Sequence, residues 1–450
     1  MALHDNVRFY AATDVGRVRT LNEDNYLIDR KLGLFVVADG MGGHAAGEIA
    51  SALAVRTIHE EVRRERALLE RLDAADRPHG SSLASAREVL QLLEHAVQRA
   101  SAVVHAEAVA DQTKRGMGTT VSAMLLVGNV GFIAHVGDSR VYLVRGGKAH
   151  QVTDDHTVYN ELIKRGRLTR DQIERVAQKN AIVRAVGVYE RVEVDTLVIE
   201  TVPGDSFLIC SDGLHAYFAS ADEMVPFLTA EEADKADRGA LGLVNLANDR
   251  GGKDNITAVV IRVGAGTSAD EARARRLALK REVLSHMPLF ARLSERELLR
   301  VMQIADVRAA APAEVVIREG DRGEELYIVL EGRLRITRGG VVLNNFGPGD
   351  HVGEMALIRN ATRSATVVSE GASELIVIRR RDFFEILRKE HELAVKLLWQ
   401  FLGVLADRLD QTSKDLRSAR EELALEDVSD AIFPEVDEPD PGPPRPQPAR

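Results

Sequence analysis

Residues 34–40 read Leu34-Phe35-Val36-Val37-Ala38-Asp39-Gly40, a short apolar run that ends in a carboxylate and a glycine. Runs of this length that are rich in valine and phenylalanine are typical of β-strands. A carboxylate at the end of such a run lies where a sheet meets solvent. The stretch therefore predicts a strand whose last residues are available for chemistry.

Three further aspartates stand at the ends of apolar runs. Asp138 and Asp212 each end a run, and Asp254 begins one. If these strand ends lie side by side, the four carboxylates repel one another unless cations neutralise them. Carboxylate oxygens favour the hard cations Mg²⁺ and Mn²⁺ over zinc. The pattern predicts a binuclear site, in which one carboxylate bridges two ions about 3.5–4 Å apart and the ions share an activated water.

The substrate of such a site is commonly a phosphate ester, which also needs a cation to hold it. Arg19, in the segment 19–24, is the candidate because a guanidinium can bind phosphate through two parallel hydrogen bonds. Cys210, close to Asp212, suggests a cysteine phosphatase, but that class needs an arginine where this chain has Ala216. Cys210 is therefore interpreted as a buried strand residue.

The composition limits the class of protein. The chain has 450 residues, of which 45% are hydrophobic and 28% charged, as in a globular protein of two or three domains. It has neither an apolar run long enough to span a membrane nor a signal-peptide pattern, so we expect a cytoplasmic location and no membrane partner. A net charge of −10 argues against general binding to nucleic acid. The single cysteine excludes an internal disulfide and a cysteine-based zinc site.

The first part of the chain, residues 7–263, alternates apolar runs with two helical patterns. The first pattern covers about 45–70 and the second about 87–113, where apolar residues recur at the spacing of a helix. The segment 76–82 between them has the composition of a surface loop.

The pattern changes in the second part of the chain. Ser268 and Glu271 have the spacing of a capping box, which predicts a helix that links two domains. Short strand-like runs separated by glycines at 314–378 predict a small β-barrel. A helical stretch of about 381–424 follows. The acidic and proline-rich segment 426–450 lacks the apolar content to fold, so we expect disorder there.

A series of motifs in the first part resembles the metal-dependent (PPM, type 2C) protein phosphatases. The motifs follow the order of that family at 13–24, 38–44, 117–120, 136–140, 211–214 and 252–257. The resemblance covers about residues 7–263. It implies a β-sandwich of two antiparallel sheets flanked by helices, with the metals at one end. The implied reaction is hydrolysis of phosphoserine or phosphothreonine by a metal-activated water, without a covalent intermediate.

The resemblance also implies the metal ligands. Asp39 bridges both ions, and Gly40 offers its carbonyl to one of them. Asp254 binds one ion and Asp212 the other. Asp138 joins Asp212 in a third, weaker metal site, as in bacterial members of the family.

The remaining catalytic roles follow from the same resemblance. Arg19 holds the substrate phosphate, and Glu23 acts through metal-bound water. Met41 stands where animal members carry a histidine that is a proposed general acid, so no proton donor is assigned. His44 lies near this position and is interpreted as structural. Residues 215–218 are less typical of the family and are expected to alter the local surface without touching the metals.

A second set of motifs, over about residues 285–410, resembles a cyclic-nucleotide-binding domain. The resemblance implies that the backbone amides after Gly353, together with Arg363, bind the cyclic phosphate. It also implies that Glu354 accepts a hydrogen bond from the ribose 2′-hydroxyl. Ser364 can bind the phosphate or a guanine amino group, so the choice between cAMP and cGMP stays open. Some domains of this fold bind no nucleotide.

The predicted fold class is α+β: an antiparallel β-sandwich flanked by helices, followed by a β-roll with flanking helices. We expect a phosphatase domain at 1–263 and a helical linker at 264–286. A cyclic-nucleotide-binding domain is expected at 287–412, followed at 413–450 by a helix end and a disordered tail.

The predicted function is a metal-dependent protein serine/threonine phosphatase in signal transduction, regulated by cAMP or cGMP. Its cofactors are two Mn²⁺ or Mg²⁺ ions, with a third left open. Its expected partners are phosphorylated proteins, such as the substrates of a serine/threonine kinase, and no nucleic acid. An apolar stripe on the last helix leaves open a lid, a homodimer seam or packing on the barrel. The stripe consists of Leu398, Phe401, Leu405, Leu409 and Leu416.

Two other functions are weighed against this one. The first is a non-catalytic effector sensor whose degenerate phosphatase domain only binds phosphoproteins, and the complete set of aspartates argues against it. The second is a transcription regulator of the cyclic-nucleotide-receptor type. It is disfavoured because no basic recognition helix follows residue 410.

Overall fold

The computed structural model describes residues 6–42, 46–74, 83–165, 172, 175–176, 180–229, 233–358 and 362–432. Three predictions concern positions outside these ranges: the role of His44, the loop at 76–82 and the tail from 433 onward. The chain divides into two compact units, Met1–Ala394 and Val395–Arg450.

The strands of the first part form two antiparallel sheets. Their bounds are β1 (Val7–Asp14), β2 (Asp24–Asp29), β3 (Leu34–Met41), β4 (Gly118–Thr119), β5 (Val121–Val127), β6 (Val130–Val136), β7 (Arg140–Arg145), β8 (Lys148–Gln151), β9 (Asp195–Glu200), β10 (Ser206–Cys210) and β11 (Ile256–Val263). The first sheet has the order β1-β11-β10-β7-β8, and the second has the order β2-β3-β5-β6-β9 with β4 beside β3. Between the sheets, the rings of Phe9 and Phe35 meet edge to face at 5.8 Å. The predicted β-sandwich is confirmed.

Helices cover both sheets. Their bounds are α1 (Gly47–Arg64), α2 (Arg66–Ala74), α3 (Leu83–Ala110), α4 (Val158–Arg165), α5 (Asp212–His215), α6 (Val225–Leu228) and α7 (Ala233–Asp249), with 3₁₀ turns at Gln112–Lys114 and Ala221–Met224. Apolar residues of α1 and α3 pack with the second sheet in one buried cluster. Those of α7 pack with the first sheet in another. This packing holds the two sheets, and therefore the strand ends, in fixed positions.

The first helical pattern is two helices rather than one. Glu65, with φ −95° and ψ 21°, separates α1 from α2, although the sequence predicted a continuous helix at about 45–70. No glycine or proline marks this break, so the sequence carries no signal for it. The second pattern, predicted at 87–113, is a helix at Leu83–Ala110. It ends before Asp111, whose side chain caps the following 3₁₀ turn.

α8 (Ser268–His286) coincides with the helix predicted from Ser268 to about residue 285. Its capping box is formed by Thr267 and Asp270, so the predicted pair Ser268 and Glu271 is wrong by one residue. The Thr267 hydroxyl accepts from the Asp270 N–H at 3.3 Å, and the Asp270 carboxylate accepts from the Thr267 N–H at 2.9 Å. Both pairs have the same spacing, and only the extended backbone of Thr267 distinguishes them.

The β-rich segment forms two facing four-stranded sheets. Its strands are β12 (Ala305–Ala310), β13 (Val315–Ile317), β14 (Glu325–Glu331), β15 (Leu334–Arg338), β16 (Val341–Phe346), β17 (His351–Val352), β18 (Thr366–Ser369) and β19 (Ser373–Arg379). The orders are β12-β19-β14-β17 and β13-β18-β15-β16. An apolar cluster lies between them, centred on Val329, Leu334 and Val367. The predicted β-roll is confirmed, and it begins at Ala305, earlier than the expected residue 314.

Short helices flank this β-roll: α9 (Glu295–Ile304), α10 (Met355–Ile358) and α11 (Arg380–Lys389). The helical stretch predicted at about 381–424 is interrupted at Glu390, with φ −116° and ψ 80°. After it comes α12 (His391–Ile432), so the prediction of disorder from residue 426 is wrong for 426–432, which are helical. Leu398, Leu409 and Leu416 of α12 are exposed. None of the helices in the described ranges is sufficiently long and apolar to cross a bilayer.

Candidate functional site

The predicted aspartates lie within electrostatic reach of one another. Asp39 lies near the end of β3, and its side chain is half-buried. Burial raises its pKa well above the ordinary value, and the charges of Asp24, Asp212, Asp138 and Asp254 raise it further. The carboxylates that the sequence placed at separate strand ends therefore form one cluster of mutually repelling groups.

The cluster has the properties of an oxygen-ligand cation site. Burial, followed by the charges of Asp212 and Asp155, raises the pKa of Asp138 to about 7. Asp138 Oδ1 is buried and accepts no hydrogen bond from the described residues. A cation would satisfy this oxygen and offset the repulsion. Among the described residues, no group of three His, Cys, Asp or Glu side chains has the geometry of a formed metal site.

Asp24 belongs to this cluster, although the sequence assigned it no role. It pairs with Asp39 in the register of β2 and β3. Its Oδ2 accepts hydrogen bonds from Ser211 at 2.8 Å and Thr257 at 2.6 Å, whereas its Oδ1 is buried without a partner. Burial is the main reason that its pKa is raised to about 7. The signal was available in the sequence, because segments 24–29 and 34–39 read as a hairpin that sets Asp24 opposite Asp39.

Gly40 lies where no larger residue fits. A Cβ there would be 2.2 Å from the Gly47 carbonyl oxygen and 2.5 Å from that of Glu23. A Cβ at Gly47 would in turn be 2.5 Å from Glu23 Oε1. The start of α1 is thus pressed against the segment that carries Glu23, and this contact depends on Gly47, which the sequence did not single out.

The backbone of Asp39 is anchored on both sides. Its N–H donates to Thr120 Oγ1 at 2.9 Å, and its carbonyl oxygen accepts from the Thr120 N–H and the Thr119 hydroxyl, both at 2.8 Å. Thr119 and Thr120 are buried and come from the motif at 117–120. This motif therefore positions Asp39.

Arg19 lies at the exposed side of the cluster. Its Nη2 donates to Asp254 Oδ2 at 2.8 Å, and half of its side chain is exposed, at 51%. Asn255 holds the surrounding loop: its amide donates to the carbonyl oxygens of Val15 at 3.0 Å and Leu21 at 2.9 Å. The guanidinium is therefore fixed beside the carboxylates and accessible to a substrate.

The segment 153–156 is bonded to the turn that carries Asp138. Arg140 forms two hydrogen bonds with the Asp155 carboxylate, at 2.8 and 2.6 Å. The Gly137 N–H donates to His156 Nδ1 at 3.1 Å, and the His156 N–H donates to the Gly137 carbonyl at 2.7 Å. The position of Asp138 therefore depends on this segment.

His215 differs from the expectation that residues 215–218 affect only the surface. Its side chain is half-buried, and Nε2 donates to the carbonyl oxygen of Asp138 at 3.0 Å. Burial lowers the pKa of His215 to about 4. A neutral imidazole thus holds the backbone of a candidate metal ligand.

The second candidate site is centred on Arg363. Its guanidinium lies against Gly323 and Gly353, where an added Cβ would be 2.2 Å and 2.3 Å from its nitrogens. Nη2 donates to the Glu325 carbonyl at 2.8 Å, and Nη1 is buried without a hydrogen-bond partner among the described residues. Burial lowers the pKa of Arg363. A half-buried cation with an unused donor fits an anionic ligand such as a cyclic phosphate.

The other predicted residues of this second site surround Arg363. Gly353 has φ +86°, which favours glycine, and Glu354 beside it is buried. The helix that follows, α10, is a single turn in which the Ala356 N–H donates to the Gly353 carbonyl at 3.0 Å. Ser364 is exposed. The predicted residues Gly353 and Glu354 are thus near Arg363 and Ser364, since the Arg363 guanidinium lies against Gly353.

Comparison with known proteins identifies the two halves. A family model described as protein phosphatase 2C matches residues 16–238, and one described as a cyclic nucleotide-binding domain matches residues 307–390. The fold and these matches define a phosphatase-type catalytic half joined to a nucleotide-binding half.

The catalytic half has bacterial relatives of known class. The serine/threonine phosphatase stp of Listeria innocua is 35% identical over 256 residues, which cover 55% of this chain and 93% of that relative. Protein phosphatase PhpP of Streptococcus pneumoniae is 35% identical over 256 residues, 55% of this chain and 94% of the relative. The solved Mycobacterium tuberculosis phosphatase PstP/Ppp is 34% identical, covers 58% of this chain and 99% of that structure, and has a TM-score of 0.46.

The chain belongs to the protein phosphatase 2C family. This membership confirms the resemblance and the enzyme class that the motifs predicted. The match to the second family model confirms the predicted nucleotide-binding type of the C-terminal β-roll.

Proposed function

We propose that this protein hydrolyses phosphoserine and phosphothreonine in other proteins by a metal-dependent reaction, and that a cyclic nucleotide regulates the reaction. The observation that carries the proposal is the buried carboxylate cluster around Asp39, with Arg19 at its exposed side. A phosphate held there would meet a cation and a source of activated water together.

The candidate ligands of the metals are the clustered carboxylates. Asp39, Asp212 and Asp254, together with the carbonyl of Gly40, would hold two metal ions. Asp138, with its unpartnered buried oxygen, supports a third site that it shares with Asp212. Bound Mn²⁺ or Mg²⁺ supplies Lewis acidity and neutralises negative charge.

The chain's own residues bind and orient the substrate in this proposal. Arg19 exchanges its hydrogen bond with Asp254 for bonds to the substrate phosphate, and its fixed loop limits the entropy lost in doing so. Glu23, at the contact with Gly40 and Gly47, orients water at the cluster. The proton donor to the leaving serine or threonine is not assigned.

The effector is proposed to be cAMP or cGMP bound at the β-roll. Arg363 would use its free Nη1 for the cyclic phosphate together with amides beyond Gly353. Buried Glu354 would accept from the ribose 2′-hydroxyl, and exposed Ser364 would contact the phosphate or the base. The domain limits 1–263, 264–286 and 287–412 and a cytoplasmic location belong to the same proposal.

The partners would be phosphorylated proteins, including substrates of a serine/threonine kinase. A second copy of the chain, joined through the exposed leucines Leu398, Leu409 and Leu416 of α12, also stays a proposal. A non-catalytic phosphoprotein sensor is the rival function. Nothing in the carboxylate set favours it, because no candidate ligand is replaced.

One experiment tests the proposal. The rate of phosphate release from a phosphothreonine peptide is measured with the full chain, with Mn²⁺, Mg²⁺ or EDTA, and with saturating cAMP or cGMP. We expect metal-dependent release that at least one nucleotide changes. Release that is equal with metal and with EDTA overturns the metal-dependent phosphatase, and equal rates with and without both nucleotides overturn the regulation. The Asp39→Asn variant is the control: binding of the peptide without hydrolysis is expected.

A further inference from the structure

Helix α9 covers the free edge of the catalytic half's second sheet. β9 is the last strand of that sheet, and among the described strands it pairs with β6 alone. Arg300 of α9 donates to the carbonyl oxygen of Thr196, and Gln303 donates to that of Val198 at 2.7 Å. These two carbonyls are two residues apart and lie on the side of β9 that pairs with no described strand. The contact between the two halves therefore has defined donors and acceptors.

Arg296, one turn earlier on α9, reaches further into the catalytic half. Its Nη1 forms an ion pair with Asp154, and its Nη2 lies 3.7 Å from Asp195 Oδ2 and 3.8 Å from Glu390 Oε2. Only 16% of its side chain is exposed. Ion pairs that are this protected from solvent are screened less than surface pairs. Arg300 adds a second contact with Glu390, at 3.1 Å.

Asp154 belongs to the segment that holds Asp138. Its carbonyl oxygen accepts from His135 Nε2 at 3.0 Å. The next two residues of the segment contact Arg140 and Gly137, which flank Asp138. A shift of Arg296 would therefore move the segment 153–156, and this segment touches both sides of a candidate metal ligand.

Glu390 belongs to the nucleotide-binding half and stands at the break between α11 and α12. At the other end of α11, Arg380 Nη1 donates to the carbonyl oxygen of Ala356 at 3.1 Å. Ala356 lies in the single turn that follows Gly353 and Glu354. α11 thus joins the candidate nucleotide site at one end to the Arg296 ion pairs at the other.

We propose that Arg296 is a positioning residue for the phosphatase site, and that its ion pairs with Glu390 and Asp154 transmit nucleotide binding to the turn that carries Asp138. The inference rests on the proposed function and deepens it by assigning the route of regulation. The elements of this route are α11, Glu390, Arg296 and the segment 153–156, and they touch without a gap. A rigid helix and paired charges with two alternative arrangements are sufficient to couple two sites.

The test compares four variants of the full chain: Arg296→Ala, Arg296→Lys, Glu390→Gln and Arg292→Ala. Arg292 is exposed and makes no ion pair with the described residues, so its variant removes one positive charge near α9 without touching the route. The measurements are kcat and KM on a phosphothreonine peptide with and without cAMP and cGMP, and hydrogen exchange of the amides in 153–156.

We expect Arg296→Ala and Glu390→Gln to reduce the effect of the nucleotide on kcat/KM by about 5-fold or more. Arg296→Lys should restore part of this effect, and Arg292→Ala should behave as the unchanged protein. Hydrogen exchange of the amides in 153–156 should be faster in Arg296→Ala than in the unchanged protein. In Arg296→Lys it should be slower than in Arg296→Ala. Glu390→Gln keeps the shape of the side chain, so it remains informative if Arg296→Ala folds poorly.

Two outcomes overturn the inference without touching the proposed function. One is that nucleotide changes kcat/KM of Arg296→Ala and Glu390→Gln as much as it changes kcat/KM of the unchanged protein. The other is unchanged exchange in 153–156 in Arg296→Ala. If the unchanged protein shows no metal-dependent activity or no response to nucleotide, the proposed function is overturned instead. Hydrogen exchange then still decides whether Arg296 holds the segment 153–156.

Discussion

Arg19 and Asp254 form an ion pair in which Nη2 lies 2.8 Å from Oδ2. The two residues are proposed to bind different ligands, the substrate phosphate and a metal ion. Their hydrogen bond is the largest cause that raises the pKa of Arg19. A substrate phosphate therefore competes with Asp254 for one guanidinium, and metal binding at Asp254 would release Arg19 for the phosphate.

The first prediction concerns Arg19→Ala. Loss of a charge-assisted hydrogen bond to phosphate should lower kcat/KM by about 10–100-fold, which corresponds to about 1.5–3 kcal/mol. The fold should be unaffected because half of the side chain is exposed. Steady-state kinetics on a phosphothreonine peptide provide the measurement. The matched control is Arg17→Ala, an exposed arginine of the same loop that has no ion pair in the described chain. Equal losses in the two variants would show that only general positive charge matters.

The second prediction concerns the stability of the metal-free protein. Asp39→Asn removes a charge that four neighbouring carboxylates repel, so it should raise the melting temperature in EDTA while it abolishes phosphatase activity. A gain of about 1 kcal/mol corresponds to about 2–4 °C.

Asp195→Asn is the opposite case. Although burial opposes it, the hydrogen bond from His156 is the leading cause that lowers the pKa of Asp195, so this variant should lower the melting temperature. Calorimetry in EDTA measures both. A lower melting temperature for Asp39→Asn would contradict the repulsive cluster.

The third prediction concerns acid sensitivity. Burial, with a contribution from the charge of His156, lowers the pKa of His135 to about 4, against 6.5 in the unfolded chain. Between these values the unfolded state binds the proton and the folded state does not. The contribution of His135 to stability is therefore complete above about pH 6.5 and is lost as the pH falls toward 4.

His135→Gln should flatten this part of the pH profile. Urea unfolding of both proteins between pH 4 and 8 gives the difference in the free energy of unfolding. This difference should change by up to about 1.4 kcal/mol per pH unit below pH 6.5, in favour of the variant. Using the difference cancels the titration of the buried aspartates, which occurs in both proteins. A difference that does not change with pH would show that His135 does not titrate in this window.

The fourth prediction concerns the nucleotide site. Arg363→Ala should weaken binding of a fluorescent cyclic nucleotide by about 10–100-fold, because it removes a charge-assisted contact with the phosphate. Gly323→Ala should also weaken binding while the arginine is retained, since its Cβ would be 2.2 Å from the guanidinium Nε. Arg322→Ala, at an exposed arginine next to Gly323, is the control and should bind normally. Normal binding by Gly323→Ala would show that the position of the guanidinium is not critical.

The sequence predicted the site better than the connections around it. Asp39 and Asp138 were recognisable because each follows an apolar run, and a run of this kind signals a strand end without any knowledge of its neighbours. The local hairpin sets Asp24 opposite Asp39, but its bonds to Ser211 and Thr257 join residues that are remote in sequence. The breaks at Glu65 and Glu390 carry no glycine or proline. The pairing of Arg296 with Asp154 joins residues that lie 142 positions apart, and no local pattern encodes it.

The bonds from α9 to β9 also have a consequence for any shortened form of this chain. A proteolytic cut or an early stop between β11 and α9 would leave the carbonyl oxygens of Thr196 and Val198 without their donors. An unprotected strand edge can recruit a strand from another molecule. The separated catalytic half would then expose a strand edge open to pairing, and in the full chain α9 covers that edge.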